Sequence, residues 1–316
     1  MRGAAEYLWR FMRCVAYNIA PMKTSPQLIR VGHSPDPDDA FMFYALAHEK
    51  IDMRGFRVEH VIEDIESLNQ RALKGELEVT AVSCHAFAYL SERYAVMRSG
   101  ASVGDDYGPI LVKKPGSGGR GSGPDFENKK IAVPGKLTTA SLVLQLYAKT
   151  GSNSPHSALR MPYKAVFTPF DKIFDAVKNG EADYGLIIHE GQITYEKHGF
   201  ELAADLGKWW LAHTGLPLPL GIDIIRKDLG PETMRRFAEL FRESIQYALN
   251  HRKEALKYAS RFGRGLADDL NDRFVGMYVN DYTVELGANG EAGFRRLMDE
   301  AYAAKIIPHQ VKPEFI

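Results

Sequence analysis

The sequence predicts an α/β protein of two lobes with a cleft between them, and three observations predict it. Short apolar runs bounded by turn residues alternate with amphipathic stretches between Leu28 and Ile225, a pattern of layered sheets with mainly parallel pairing. Leu216-Pro217-Leu218-Pro219-Leu220-Gly221-Ile222 is extended; proline belongs at sheet edges and crossings, so this stretch returns the chain from one lobe to the other. From Pro231 onward the pattern is helical, so late helices complete a lobe begun by the first strands. Residues 28–110 and 216–316 are assigned to a discontinuous first lobe and 111–215 to the second, with two crossings making a hinged cleft.

Residues 1–27 form an N-terminal extension. Tyr7, Leu8, Phe11, Met12 and Val15 share a helical face, while Arg10 and Arg13 interrupt the apolar core that an export signal requires. The stretch reads either as a weakly basic interfacial helix or as sequence upstream of a start at Met22.

Leu28 to Gly32 is the first strand, followed by a tight turn and a helix from Ala40 to Leu46. Asp36 is placed to cap that helix, Pro37 suits its first position, and Asp38 and Asp39 favour the positive end of its dipole. These acids with His33 match no calcium-loop spacing, so no metal is expected. Phe56–Ile62 is a strand and Glu66–Leu73 a helix ended by Gly75. Val79–Val82 is a short strand, and Ser83 sits where it passes into a helix; its hydroxyl can cap that helix or bind a ligand. Val96–Arg98 and Pro109–Lys113 complete this first segment.

Gly116-Ser117-Gly118-Gly119-Arg120-Gly121 satisfies G-x-G-x-x-G, but no helical pattern follows, so it reads as a flexible loop and not as a dinucleotide site. Lys130–Val133 is a strand leading to Thr138-Thr139 at the start of a helix that runs to Lys149. Two hydroxyls there serve equally as N-caps or as a seat for a carboxylate. Residues 151–163 are a turn-rich insertion; Ala165–Phe167 is a strand and Asp171–Lys178 a helix. Tyr184-Gly185-Leu186-Ile187-Ile188 is a buried strand ending on His189-Glu190, at the carboxyl end where α/β sheets bind ligands. The imidazole of His189 is suited to proton transfer near neutral pH, or else is a strand-terminal histidine satisfied by backbone. Gln192–His198 reads as helical, and Trp209-Trp210 as lobe packing. Helices are expected over Thr233–Leu249, Lys253–Phe262, Asp268–Val279 and Glu291–Ala303, the last two separated by Asn280-Asp281-Tyr282-Thr283.

Forty basic and forty acidic residues cancel, which removes the electrostatic case for a nucleic-acid partner. The two cysteines, Cys14 and Cys84, form neither metal spacing nor a disulfide framework, so a reducing cytoplasm is expected. No apolar run reaches the length of a membrane-spanning helix.

Four motifs occur together and in order: Ser34-Pro35-x-Pro37-x-Asp39-x-Phe41, Glu63-Asp64-x-Glu66-x-Leu68-Asn69, Gly185-Leu186-Ile187-Ile188-His189-Glu190 and Thr214-Gly215-Leu216-Pro217-Leu218-Pro219-Leu220-Gly221. This set resembles the 1,4-dihydroxy-6-naphthoate synthase family of menaquinone biosynthesis over residues 28–303. The resemblance implies the two-lobed, type II fold of periplasmic solute-binding proteins, used in the cytoplasm by an enzyme. It implies a carbon–carbon lyase acting on a small-molecule carboxylate, cyclic dehypoxanthinyl futalosine, with no cofactor; a homodimer is left open. It further implies His189 as the catalytic residue, with Ser34, Asp39, Asn69, Ser83, Thr138 and Thr139 holding the substrate. The chain departs from the family pattern where Asp36 and Asp38 stand for Cys and Asn, and where Gly191 stands for a common serine. The extra negative charge is expected to bear on substrate preference. The competing readings are a solute-binding protein of a transporter, for which an apolar leader is wanting, and the related chorismate dehydratase, which would begin with a Ser-Tyr-Leu-Asn-like stretch.

Overall fold

Among the described residues eleven short strands, several wholly buried, group into two sheets. In order they are β1 (Gln27–His33), β2 (Phe56–Ile62), β3 (Val79–Ser83), β4 (Tyr94–Val96), β5 (Ser102–Gly104), β6 (Ile110–Lys113), β7 (Lys130–Val133), β8 (Lys164–Phe167), β9 (Tyr184–Ile187), β10 (Glu201–Asp205) and β11 (Leu218–Arg226). The computed structural model describes residues 25–117, 124–150, 162–263, 265 and 267–316. The N-terminal extension up to residue 24, residues 118–123 of the glycine-rich loop and residues 151–161 of the turn-rich insertion lie outside the described residues.

The first sheet has the order β2-β1-β3-β11-β4, with β5 also paired to β11; the second has the order β10-β6-β9-β7-β8. β3 and β9 are buried along their whole length, as strands covered on both faces must be. The pairing is mixed rather than mainly parallel. β1–β2, β1–β3, β7–β8 and β7–β9 are parallel, whereas β11 runs antiparallel to β3, β4 and β5, and β6 runs antiparallel to β9 and β10. The reversed strands flank the two crossings between sheets, where the chain enters the far sheet from the opposite end. Pro219 lies in the part of β11 that faces Val103 of β5, outside the β3–β11 register that starts at Gly221.

Local signals set several helix ends. Asp64 accepts hydrogen bonds from the N–H groups of Glu66 and Ser67, and Gly75 closes the same helix, Ile65–Lys74, in the left-handed region at φ 73°. Asn280 and Thr283 form a capping box on the short helix Asp281–Val284, which separates Asp268–Tyr278 from Gly287–Ala303. β5 and β10 were not expected, and the helix expected over 192–198 is only Gly191–Thr194. β10 reads Glu-Leu-Ala-Ala-Asp and is nowhere fully buried, so it carries no apolar alternation to betray it.

One core is common to both sheets. Val82 and Ile224 of the first, Ile131, Val133 and Leu186 of the second, and Leu142, Val143 and Leu146 of the helix Thr139–Thr150 pack in a single apolar cluster with Phe294 and Leu297. A second cluster covers the other face of the first sheet with Phe41, Phe43, Phe237 and Phe241. Trp210 is fully buried in the shared cluster, its indole N–H donating to the Pro217 carbonyl 3.2 Å away, so it packs as expected. The two crossings touch: Leu206 N–H donates to the Pro109 carbonyl at 3.0 Å, and Gly108 and Gly207 meet backbone to backbone. A Cβ on Gly207 would overlap the Tyr107 carbonyl and the Gly108 nitrogen. Gly207→Ala is therefore expected to destabilise the protein by about 1–3 kcal/mol, read as a lowered denaturant midpoint; an unchanged midpoint would show that the crossings are not tightly apposed.

Candidate active site between the sheets

The carboxyl ends of β1, β3 and β9 converge with the start of the helix Thr139–Thr150 and the first half of β11 on one cleft. About 730 Å³ lies between its walls, part of it open to solvent. That space suits a small organic molecule. Ser34, Asp39, Ser83, Thr138 and Thr139 all line it, so five of the residues singled out from sequence come together. Among the described residues the lining holds four aspartates, Asp36, Asp38, Asp39 and Asp223, and no lysine, arginine or histidine. Among the described residues no group of three or more His, Cys, Asp or Glu side chains is arranged to hold a metal ion.

The turn after β1 is built around its acids. Ser34 N–H donates to Asp39 Oδ2 at 2.6 Å, and Ser34 Oγ donates to Asp36 Oδ2 at 2.9 Å. Asp36 does occupy the N-cap position with Pro37 after it, but its carboxylate makes no cap hydrogen bond and instead takes the serine hydroxyl. Asp38 and Asp39 are buried rather than displayed at an exposed helix end. Burial pushes Asp39 up to about 7, although the hydrogen bond from Ser34 N–H opposes the shift. Asp38 and Asp223 are raised well above the carboxylate range, by burial first and then by the charge of Asp39. Asp38 Oδ1 and Asp223 Oδ1 have no hydrogen-bond partner.

On the facing side, Ser83 N–H donates to Asn69 Oδ1 at 2.9 Å and Asn69 Nδ2 donates to Ser83 Oγ at 3.2 Å. Asn69 is fully buried behind Ser83 and does not line the cleft; it orients the serine hydroxyl, which does. Thr138 Oγ1 accepts from Ser141 N–H at 3.2 Å, an N-cap, while its side chain still faces the cleft. The Thr139 hydroxyl is committed elsewhere. It accepts from Cys84 N–H at 2.8 Å and donates to the Leu220 carbonyl at 2.5 Å.

His189 lies beside the cleft and not in its lining, although Ile188 and Gln192 line it. Its Nδ1 accepts from Gly191 N–H at 3.0 Å, which leaves Nε2 to donate to the Phe170 carbonyl, also at 3.0 Å. Both ring nitrogens are thus satisfied by backbone, and the ring packs edge-on against Phe170 and Phe174. Glu190 Oε2 stands 3.6 Å from Nδ1. Gly191 makes room for this orientation: a Cβ there would lie 2.8 Å from His189 Cε1.

Gln192, Asp223 and Tyr278 are among the cleft residues that escaped the sequence reading. Tyr278 OH donates to Gln192 Oε1 at 3.0 Å, closing the cleft from the helix Asp268–Tyr278 to the helix Gly191–Thr194. Nothing local marks that pair. Asp223 did leave a signal, a carboxylate inside the apolar run Ile222-Asp223-Ile224-Ile225.

A model of the menaquinone biosynthesis family matches residues 29–303. Two relatives named 1,4-dihydroxy-6-naphtoate synthase align over most of the chain. That of Thermus thermophilus is 38% identical and covers 92% of this chain and 100% of its own; that of Streptomyces coelicolor is 32% identical and covers 90% and 96%. A crystal structure of a protein from Archaeoglobus fulgidus is 45% identical, with a TM-score of 0.80 over 89% of this chain and 98% of that one. The alkanesulfonate-binding protein of Xanthomonas axonopodis pv. citri, solved with MOPS, has a TM-score of 0.66 at 13% identity over 91% and 96% of the two chains. That second likeness concerns the fold alone, and the fold is the two-lobed one of periplasmic solute-binding proteins.

The acids make the site sensitive to pH. Asp39 binds its proton more tightly folded, at about 7, than unfolded, near 3.8, so its contribution to stability is full below 3.8 and is lost as pH rises through 7. Asp39→Asn removes that titration. The stability of the variant relative to the unsubstituted protein should therefore be higher above pH 7 than at pH 4, as read by unfolding across that range; a pH-independent difference would contradict a proton held on Asp39.

Proposed function

We propose a reaction for a chain that belongs to the menaquinone biosynthesis family: conversion of cyclic dehypoxanthinyl futalosine to 1,4-dihydroxy-6-naphthoate, with release of a three-carbon fragment, by a carbon–carbon lyase working in the cytoplasm. The observation that carries this reading is the end-to-end alignment with two relatives named for that product. The meeting of Ser34, Asp39, Ser83 and Thr138 in one cleft supports it.

The residues divide the work by chemistry. The substrate carboxylate needs donors, and the cleft offers the Ser83 hydroxyl, held by Asn69, together with the N-terminal end of the helix Thr139–Thr150. His189 is the proposed base. It removes a proton from a carbon of the sugar-derived ring, the electron pair left there forms a ring double bond as the bond to the three-carbon fragment breaks, the fragment leaves with the bonding pair and takes the proton from the imidazolium, and aromatisation of the remaining ring drives the step forward. Nδ1 carries the lone pair, and Gly191 N–H now occupies it. Catalysis in this reading begins with the ring turning away from Phe170 into the cleft. The Tyr278–Gln192 contact helps to shut water out once substrate is seated.

Incubation of the purified protein with the cyclic futalosine should yield dihydroxynaphthoate, detected by mass; substrate recovered intact would remove the activity. His189→Asn should lose roughly 10²- to 10⁴-fold in rate while retaining substrate binding, and near-normal turnover by this variant would assign the base elsewhere. Gly191→Ala should raise kcat, because its Cβ displaces the ring from its place against Phe174. A fall in kcat at an unchanged melting temperature would show instead that the observed ring position is the working one.

A further inference from the structure

Two acids in the cleft have no task in the reaction as described. Asp38 is 7% exposed and Asp223 1% exposed, both line the cleft, and the Oδ1 atom of each is buried without a hydrogen-bond partner. A buried acceptor left unpaired is costly, and where it borders a cleft a ligand seated there can complete it. The neighbouring acids differ: Asp39 accepts from Ser34 N–H and Asp36 from Ser34 Oγ.

The chemistry of the missing partner follows from the lining. A carboxylate is disfavoured at this end, because among the described residues four aspartates and no basic side chain line the space. An apolar group would leave both oxygens unpaired. A cation would require the acids to hold charge, whereas burial drives Asp38 and Asp223 toward their neutral forms. Neutral hydroxyl groups fit, since they donate to an unpaired carboxyl oxygen and accept from a protonated one.

We propose that Asp38 and Asp223 form a hydroxyl-binding subsite, which receives the polyhydroxylated three-carbon end of the substrate and so fixes its orientation, with the carboxylate at the Ser83–Thr138 end. This rests on the reaction proposed above. It makes Asp38 and Asp223 residues of specificity: they recognise the part of the substrate that is lost, and they contribute nothing to binding of the naphthoate product, which carries the carboxylate without that fragment.

The test compares two ligands on the intact protein. Asp38→Ala and Asp223→Ala should each raise KM for the cyclic futalosine about tenfold or more, the equivalent of one lost hydrogen bond to a desolvated group, with the Kd for dihydroxynaphthoate within about twofold of its original value. Asp38→Asn retains an acceptor oxygen and should restore KM. Equal weakening of both ligands, or an unchanged KM for the substrate, overturns the subsite. If the unsubstituted protein does not convert the substrate, the reaction fails and the subsite is judged separately by saturation-transfer NMR with glycerol. A signal lost in the Asp38→Ala/Asp223→Ala double variant sustains it, and no signal in the unsubstituted protein rejects it.

Discussion

The Thr139 hydroxyl joins the two halves of the molecule. It receives the N–H of Cys84, the residue after β3, and gives its own hydrogen to the carbonyl of Leu220 in β11, so the first turn of the helix Thr139–Thr150 is fastened to the first sheet. The apolar face behind it, Leu142, Val143 and Leu146, is continuous with the cores of both sheets. A side chain expected to hold substrate instead sets the shape of the place where substrate sits. Across the cleft the other rim is held by a different set of contacts, Tyr278 with Gln192 and His189 with the Phe170 carbonyl.

The division between acceptors and donors across the cleft also depends on that fastening. It fixes Thr138 and Ser83 on one side and leaves the Ser34–Asp39 turn opposite. The acids there are unusually enclosed because Phe41 and Phe43 of the same short segment anchor it in the second apolar cluster. Pro37 and Asp36 begin the helix as their residue types predict, while the aromatic anchors draw Asp38 and Asp39 inward. Local preference and tertiary packing therefore act on adjacent residues of one turn, with opposite consequences for their charge.

Much of the fold was legible because strand ends and helix starts carry local signals. β2 and β7 fall at the expected residues, Gly75 and Asp64 terminate and start their helix, and Ser83 and Thr138 lie at the junctions where they were placed. What was not legible depends on backbone groups brought from a distance. The ring of His189 is directed by the Phe170 carbonyl and the Gly191 N–H, and the orientation of Thr139 by Leu220. No periodicity reports such partners. The mixed pairing of the sheets was missed for a related reason: strand direction across a crossing is set by where the chain re-enters, which the composition of β6 and β11 does not encode.

The interleaving of the two sheets has a consequence for how the chain reaches this structure. β11 lies between β3 and β4, with Ser83 opposite Gly221 and Val96 opposite Ile224, so the first sheet has a gap at its centre until the whole of the second has been laid down in sequence. Pairing between such distant segments closes a long loop and is intrinsically slow. During synthesis the edges of β3 and β4 stay open while β6 to β10 emerge, and the half-built first sheet is the species most exposed to misassociation.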